Sequence, residues 1–184
     1  MAKIVGKVVS VHVGTREDMS KQPLSNVKVE LDGFVGDNHQ GFMREAYAGD
    51  KDPEGTIRRN ERQWSAICAE ELQAVSQELN LNDTIRAEDV GANLCLTGIP
   101  DLSTLPSGAR LCFSSGAILV VEEYNPPCMD MGEKLSKLYQ KTSGEPLTAR
   151  DFVLTARKRR GLVGVVDVAG DIRAEDEVTL ELPR

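Results

Sequence analysis

The sequence predicts a β-rich α+β fold, a barrel of short strands with helices attached. Short valine-rich or alternating segments recur along all 184 residues. They are joined by irregular connections rather than in regular β-α-β alternation, and only two stretches show strong helical spacing. The length fits one domain, residues 1–184, large enough to bury a real core. No internal repeat or low-complexity segment interrupts it.

The first predicted element is a strand over Lys3–Val13, where Val5, Val9, Val11 and Val13 share one parity. A second follows over Asn26–Leu31, with Val27, Val29 and Leu31 alternating against Lys28 and Glu30. Asp32–His39 is too rich in glycine and polar residues for a regular element. Gln40–Asn60 continues as a long irregular stretch containing Gly41, Gly49, Pro53 and Gly55. Structureless loops of such length are uncommon in compact domains and are usually functional or disordered, so this stretch is the first site candidate. Gln63–Ile67 reads as a short buried strand. Ala69–Leu79 reads as a helix, with Leu72, Val75 and Leu79 at helical intervals and Glu70 and Glu71 suited to its start.

Further strands are expected over Asn93–Thr97 and Arg110–Phe113, and a core strand over Ala117–Glu123 that Pro126-Pro127 halts. Met131, Leu135 and Leu138 mark a helix over Met129–Lys141, interrupted by Gly132. Residues 148–158 are a further helical candidate. At the C-terminal end, Gly161–Val168, a turn at Ala169-Gly170-Asp171 and Glu177–Leu182 read as a closing hairpin.

Composition excludes several function classes. With 22 basic against 29 acidic residues the net charge is −7, unlike the basic surface of a general nucleic-acid binder. Apolar runs such as Ala117–Val121 fall far short of the ~20 residues of a spanning helix, and the N-terminus shows no signal peptide. A cytoplasmic protein without membrane or nucleic-acid partners is expected. Cys68, Cys95, Cys112 and Cys128 form no C-x-x-C pair, so neither a zinc ribbon nor a thioredoxin-like motif is present.

Cys68, Cys95 and Cys112 sit among apolar neighbours and read as small buried hydrophobes. Cys128 follows Pro126-Pro127 and opens a helix, where free backbone N–H groups and the helix dipole favour a thiolate. It reads either as a packing residue or as a nucleophile, sulfur carrier or soft metal ligand. Asp37 and His39, beside Gly36, read from the residues alone as a surface turn. His12 lies among strand valines and reads as structural. Two isolated histidines make a weak case for zinc.

Two segments hold seven of the 22 basic residues: Arg58, Arg59 and Arg62, and the run Arg157-Lys158-Arg159-Arg160. Such runs are usually solvated, yet arginine binds phosphate oxygens bidentately, and two clusters converging on a loop would suit a phosphorylated cofactor. No P-loop or G-x-G-x-x-G fingerprint places a nucleotide instead.

The order of short motifs then becomes informative. Gly33–His39, Arg62-Gln63-Trp64-Ser65, Val90–Leu94 with Gly98 and Leu102, Gly108–Leu111, Pro127-Cys128 and Gly161–Val166 together resemble the MOSC domain family, named for the C-terminal domain of molybdenum-cofactor sulfurases. The resemblance runs from about Lys3 to Leu182. It implies a β-barrel that binds the molybdenum cofactor, a phosphorylated pterin dithiolene carrying molybdenum. It also implies that Cys128 is a thiolate ligand to molybdenum or a sulfur-handling thiol, with Asp37, His39, Arg62 and Asn93 lining the pocket. Two departures stand out: Ala92 where the family often has glutamate, and Glu175-Asp176 in place of a Gly-Asp.

The resemblance implies three readings. One is a reductase of N-oxygenated or N-hydroxylated small molecules with Cys128 on the metal. Without a flavin, haem or iron–sulfur motif it would need a separate redox partner. Another is a carrier of sulfur or cofactor between donor and acceptor proteins through a Cys128 persulfide. The last is a non-catalytic binding module that has lost the cofactor. Pyridoxal phosphate is not expected, because 184 residues leave no room for a desulfurase domain.

Overall fold

The structure is a computed structural model that describes residues 4–14 and 18–183. Its frame is a closed barrel, as the sequence predicts, and it has seven staves. In spatial order the staves are β13 (Glu177–Glu181), β9 (Arg110–Phe113), β10 (Ile118–Tyr124), β11 (Leu162–Val168), β7 (Trp64–Cys68), β8 (Leu94–Thr97) and β1 (Ile4–Val13). Pairing of β1 with β13, Ile4 opposite Leu180, closes the ring. Closure leaves no long barrel edge exposed. Only β7 and β8 run parallel, because helix α1 (Ala69–Glu78) carries the chain from one to the other. The predicted start at Lys3 lies outside the described residues.

The parity of β1 differs from the pattern in the sequence. Val5 and Val9 are exposed whereas Val8 and Val11 are fully buried. Pairing with β8 shifts register between Val8 and Ser10, and this bulge changes which parity faces inward. The predicted closing hairpin is also corrected. The turn at Gly170 is instead the start of β12 (Gly170–Arg173), which pairs with β3 (Asn26–Glu30). That pairing, extended by β4 (Gly33–Phe34), buries Val27, Val29, Phe34 and Ile172 against the barrel core. β13 then returns between β1 and β9 rather than beside β11. Leu31 lies beyond the end of β3 and is exposed.

Gln40–Asn60 is not structureless. It holds a small hairpin of β5 (Met43–Glu45) and β6 (Ile57–Arg59). A short strand β2 (Gln22–Leu24) is added to β1. Both are too short for a periodic signal.

A second core lies outside the barrel, where α1, α2 (Met129–Leu138) and α3 (Ala149–Thr155) bury Leu72, Val75, Met131, Leu135 and Phe152. Gly132, which reads as a helix interruption, is what lets α2 and α3 meet. A Cβ there would lie 2.5 Å from the carbonyl oxygen of Ala149 and 2.7 Å from its Cα. Thr148 and Asp151 form a capping box at the start of α3. Among the described residues no helix is long and apolar enough to cross a membrane.

Candidate functional site

Four neighbouring staves bring separate parts of the chain to one cavity of about 540 Å³. Trp64 and Ser65 come from the start of β7, Arg62 from two residues before it, and Asn93 from the residue before β8. Asn125, Pro126 and Cys128 follow β10, and Arg160 precedes β11. The tip of the β5–β6 hairpin, Tyr47 to Asp50, lines the same space, so the Gln40–Asn60 stretch does reach the site.

Cys128 is exposed and is the N-cap residue of α2 in an extended conformation. Its carbonyl accepts the first helical hydrogen bond, from Gly132 N at 3.1 Å, and its side chain makes no capping bond. The thiol therefore stands at the positive end of the α2 dipole, as the Pro-Pro-Cys pattern predicts.

Arg160 is buried, and its Nη2 donates to the Val90 carbonyl at 2.5 Å. Its Nε and Nη1 atoms are fully buried with no hydrogen-bond partner among the described residues. Burial lowers its pKa to about 10, opposed by Cys128 and reinforced by the positive charge of Arg62. A buried cation without a carboxylate partner is costly unless something anionic completes it. Gly161 explains why this residue alone turns inward. Its φ is +92°, and a Cβ there would lie 2.0 Å from the Ala66 carbonyl oxygen, so only glycine permits the approach.

The cavity is also lined by Lys21, His39 and Asn93, which meet on Asp37, whose side chain is fully buried. Its Oδ2 accepts from Lys21 Nζ, from Gly14 N at 2.8 Å and from Asn93 Nδ2 at 2.8 Å. Its Oδ1 accepts from His39 N at 3.0 Å and lies 3.1 Å from His39 Nδ1. Burial pushes the Asp37 pKa up, but the His39 bond and the Lys21 charge outweigh it and hold the carboxyl well below the usual range. Asn93 is equally committed: Nδ2 also donates to the His12 carbonyl, and Oδ1 accepts from Ser65 N and Oγ. It fastens β8 to β7 and β1 and supports the cavity wall.

The MOSC domain profile matches residues 39–179. The chain belongs to the MOSC family. YuaD of Bacillus subtilis (strain 168), a protein named provisionally for metal–sulfur cluster biosynthesis, is 30% identical over 179 residues, 96% of this chain and 90% of YuaD. The crystal structure of Bacillus subtilis YuaD superposes with a TM-score of 0.91 at 27% identity, covering 100% of this chain and 99% of that one. YiiM from Geobacillus stearothermophilus, at TM-score 0.64 and 16% identity over 96% of this chain and 75% of its own, shares the fold.

Within this MOSC barrel, Cys128, His39, Arg62, Asn93 and Arg160 line the cavity, Asp37 is buried behind His39 and Asn93, and five other predicted residues do not line it. Arg58 faces Asp50, Asp52 and Glu61, and Arg59 pairs with Glu122 at 2.8 Å. Arg159 pairs with Glu78 at 2.8 Å. Arg157 and Lys158 are exposed, the latter in a left-handed turn at φ 60°. The two basic segments thus contribute one arginine each: Arg160, and Arg62, whose guanidinium donates to Asn125 Oδ1 at 2.8 Å and Glu123 at 3.1 Å.

Cys68 and Cys95 are buried as predicted, but Cys112 is only half-buried, since β9 sets it beside Thr179 and Ile118 on the barrel's outer side. His12 is structural, as expected. It is buried with Nδ1 3.0 Å from the Ala92 carbonyl oxygen, and desolvation lowers its pKa. Lys21, Ser65, Asn125 and Tyr47 are site residues the sequence reading does not single out. Of these Ser65 closes the Arg62-Gln63-Trp64-Ser65 motif and Asn125 directly precedes Pro126-Pro127-Cys128, whereas Lys21 and Tyr47 lie in no such motif.

Proposed function

We propose that this MOSC protein binds the molybdenum cofactor in this cavity, with Cys128 as a thiolate ligand to the metal, and serves as a reductase of N-oxygenated or N-hydroxylated small molecules. The observation that carries the reading is Arg160: a buried guanidinium with two unpartnered donors in the cavity that Cys128 also lines. An occupant that is both anionic and metal-bearing satisfies both residues. Phosphate completes an arginine fork, and a thiolate is a soft donor suited to a transition metal.

Among the described residues no three His, Cys, Asp or Glu side chains gather as a metal cage, which suits a metal that arrives with its own dithiolene ligands. When bound, the cofactor supplies two-electron oxygen-removing chemistry. The chain's own residues do the rest. Arg160 holds an anionic oxygen, and Cys128 presents its sulfur at the positive end of the α2 dipole. The Asp37–Asn93–Ser65 frame keeps the wall fixed. Electrons come from a separate redox protein.

A second reading is favoured by the exposure of Cys128 and by the name of YuaD. Here the Cys128 thiolate takes the outer sulfur of a donor protein's persulfide, releasing the donor thiol, and passes it on. One experiment separates the readings: produce the protein in cells that make the cofactor, then measure molybdenum, pterin and Cys128 persulfide. Stoichiometric molybdenum and pterin, with the metal lost in Cys128→Ala, is the expected result. Persulfide without metal establishes the carrier. Neither, with Cys128 inert to alkylation, overturns both and leaves a module without cofactor.

A further inference from the structure

Asp37 and His39 form more than a turn. The Asp37 carboxylate accepts from Lys21, Gly14 and Asn93 on Oδ2 and from the His39 amide on Oδ1, and the Lys21 cation beside it keeps it ionised. An ionised carboxylate only accepts, so the imidazole nitrogen 3.1 Å from Oδ1, Nδ1, carries a proton. That fixes the tautomer. In that tautomer Nε2 carries no proton in the neutral ring. The ring is 42% exposed and lines the same cavity as Cys128 and Arg160. A carboxylate fixed by a buried lysine, orienting a histidine that lines a cavity, is the arrangement of an oriented acid–base group.

We infer that His39 is the proton donor of this site, held in register by Asp37 and Lys21. The inference rests on the reductase reading and assigns a step within it. Reduction of a hydroxylamine R–NH–OH to R–NH₂ and water breaks the N–O bond and consumes two electrons, from the separate redox protein, and two protons. Protonated His39 delivers one proton from Nε2 to the departing oxygen, and the second comes from solvent. Solvent then reprotonates the neutral imidazole. Lys21 and Asp37 are positioning residues, since they act through the ring.

The test has two parts. The chain has only His12 and His39, so a ¹H–¹⁵N spectrum of side-chain nitrogens in the cofactor-free protein is assigned by comparison with His39→Asn. Above the imidazole's titration range, His39 is expected to show protonated Nδ1 and unprotonated Nε2. The opposite tautomer overturns the inference whatever the activity. His39→Asn keeps a donor nitrogen near the Nδ1 position and removes Nε2. In loaded protein it is expected to retain molybdenum and thermal midpoint while kcat for an N-hydroxylated substrate falls ~10²–10⁴-fold, the usual contribution of a general acid. Wild-type turnover with His39→Asn equally active overturns the inference alone. A loaded wild type without turnover overturns the reductase reading and His39's step with it.

Discussion

Replacing Arg160 by methionine separates stability from ligand binding. Burial lowers the arginine's pKa to about 10, and at about 1.4 kcal/mol per tenfold change in proton affinity the buried charge costs the ligand-free fold on the order of 3 kcal/mol. Methionine fills much of the same space without the charge. It also removes the donor to the Val90 carbonyl, and an unsatisfied buried carbonyl costs about 1–2 kcal/mol. The net expectation for Arg160→Met is a gain of about 1–2 kcal/mol, or roughly 3–6 °C in midpoint for a chain of this size. A base whose folded pKa is lowered carries its full penalty below that pKa and loses it only as pH rises past about 10, so the gain is flat between about pH 6 and 9. Urea and thermal unfolding at low salt, with and without inorganic pyrophosphate, give the measurement. Pyrophosphate is expected to stabilise wild type, by about 2.7 kcal/mol at a hundredfold excess over Kd, and to leave the variant unchanged. A variant less stable than wild type by about 1 kcal/mol or more, responding equally to pyrophosphate, refutes the reasoning: the guanidinium is then a structural tie.

Two further substitutions probe the supports of the site. Gly132→Ala drives a methyl into the Ala149 backbone; the expected cost is about 1–3 kcal/mol by urea denaturation, with a changed Cys128 alkylation rate because α2 carries that residue, and an unchanged rate argues that the N-terminus of α2 is held independently of α3. Lys21→Met removes the buried cation paired with the Asp37 carboxylate, for an expected loss of about 3–5 kcal/mol at neutral pH. Because the folded pKa of Asp37 is depressed, its stabilisation is present above the unfolded carboxylate value of about 4 and is lost as pH falls below it. The acid limb of a stability–pH curve is therefore steeper in wild type than in Lys21→Met, and parallel limbs contradict the pairing.

The core strands are legible in the sequence because burial demands a continuous apolar segment wherever a stave crosses the barrel. Residues 110–113 and 117–123 are found within a residue of β9 and β10, and α1 and α2 are legible because their buried faces repeat every three to four residues. What escapes is set by contacts distant in sequence. A two- or three-residue strand such as β2 or β4 has no period, and β12 exists because β3 offers an edge far away along the chain. The bulge in β1 is a property of its pairing with β8, so the parity of valines alone gives the wrong inward face.

The site shows the same division at single residues. Cys128 is legible because its chemistry and its position at a helix start are both local. The run Arg157-Lys158-Arg159-Arg160 is legible only as charge, for composition is blind to which of four neighbours faces the cavity. The decision is made by backbone geometry: a left-handed turn at Lys158, then a glycine pressed against the Ala66 carbonyl where no side chain fits. That glycine was the readable signal. A basic run that ends in glycine immediately before an apolar strand places its last side chain where the strand enters the fold. There, unlike on the solvated turn before it, a cation without a partner is retained at a cost in stability, which in this barrel an anionic ligand beside Cys128 would offset.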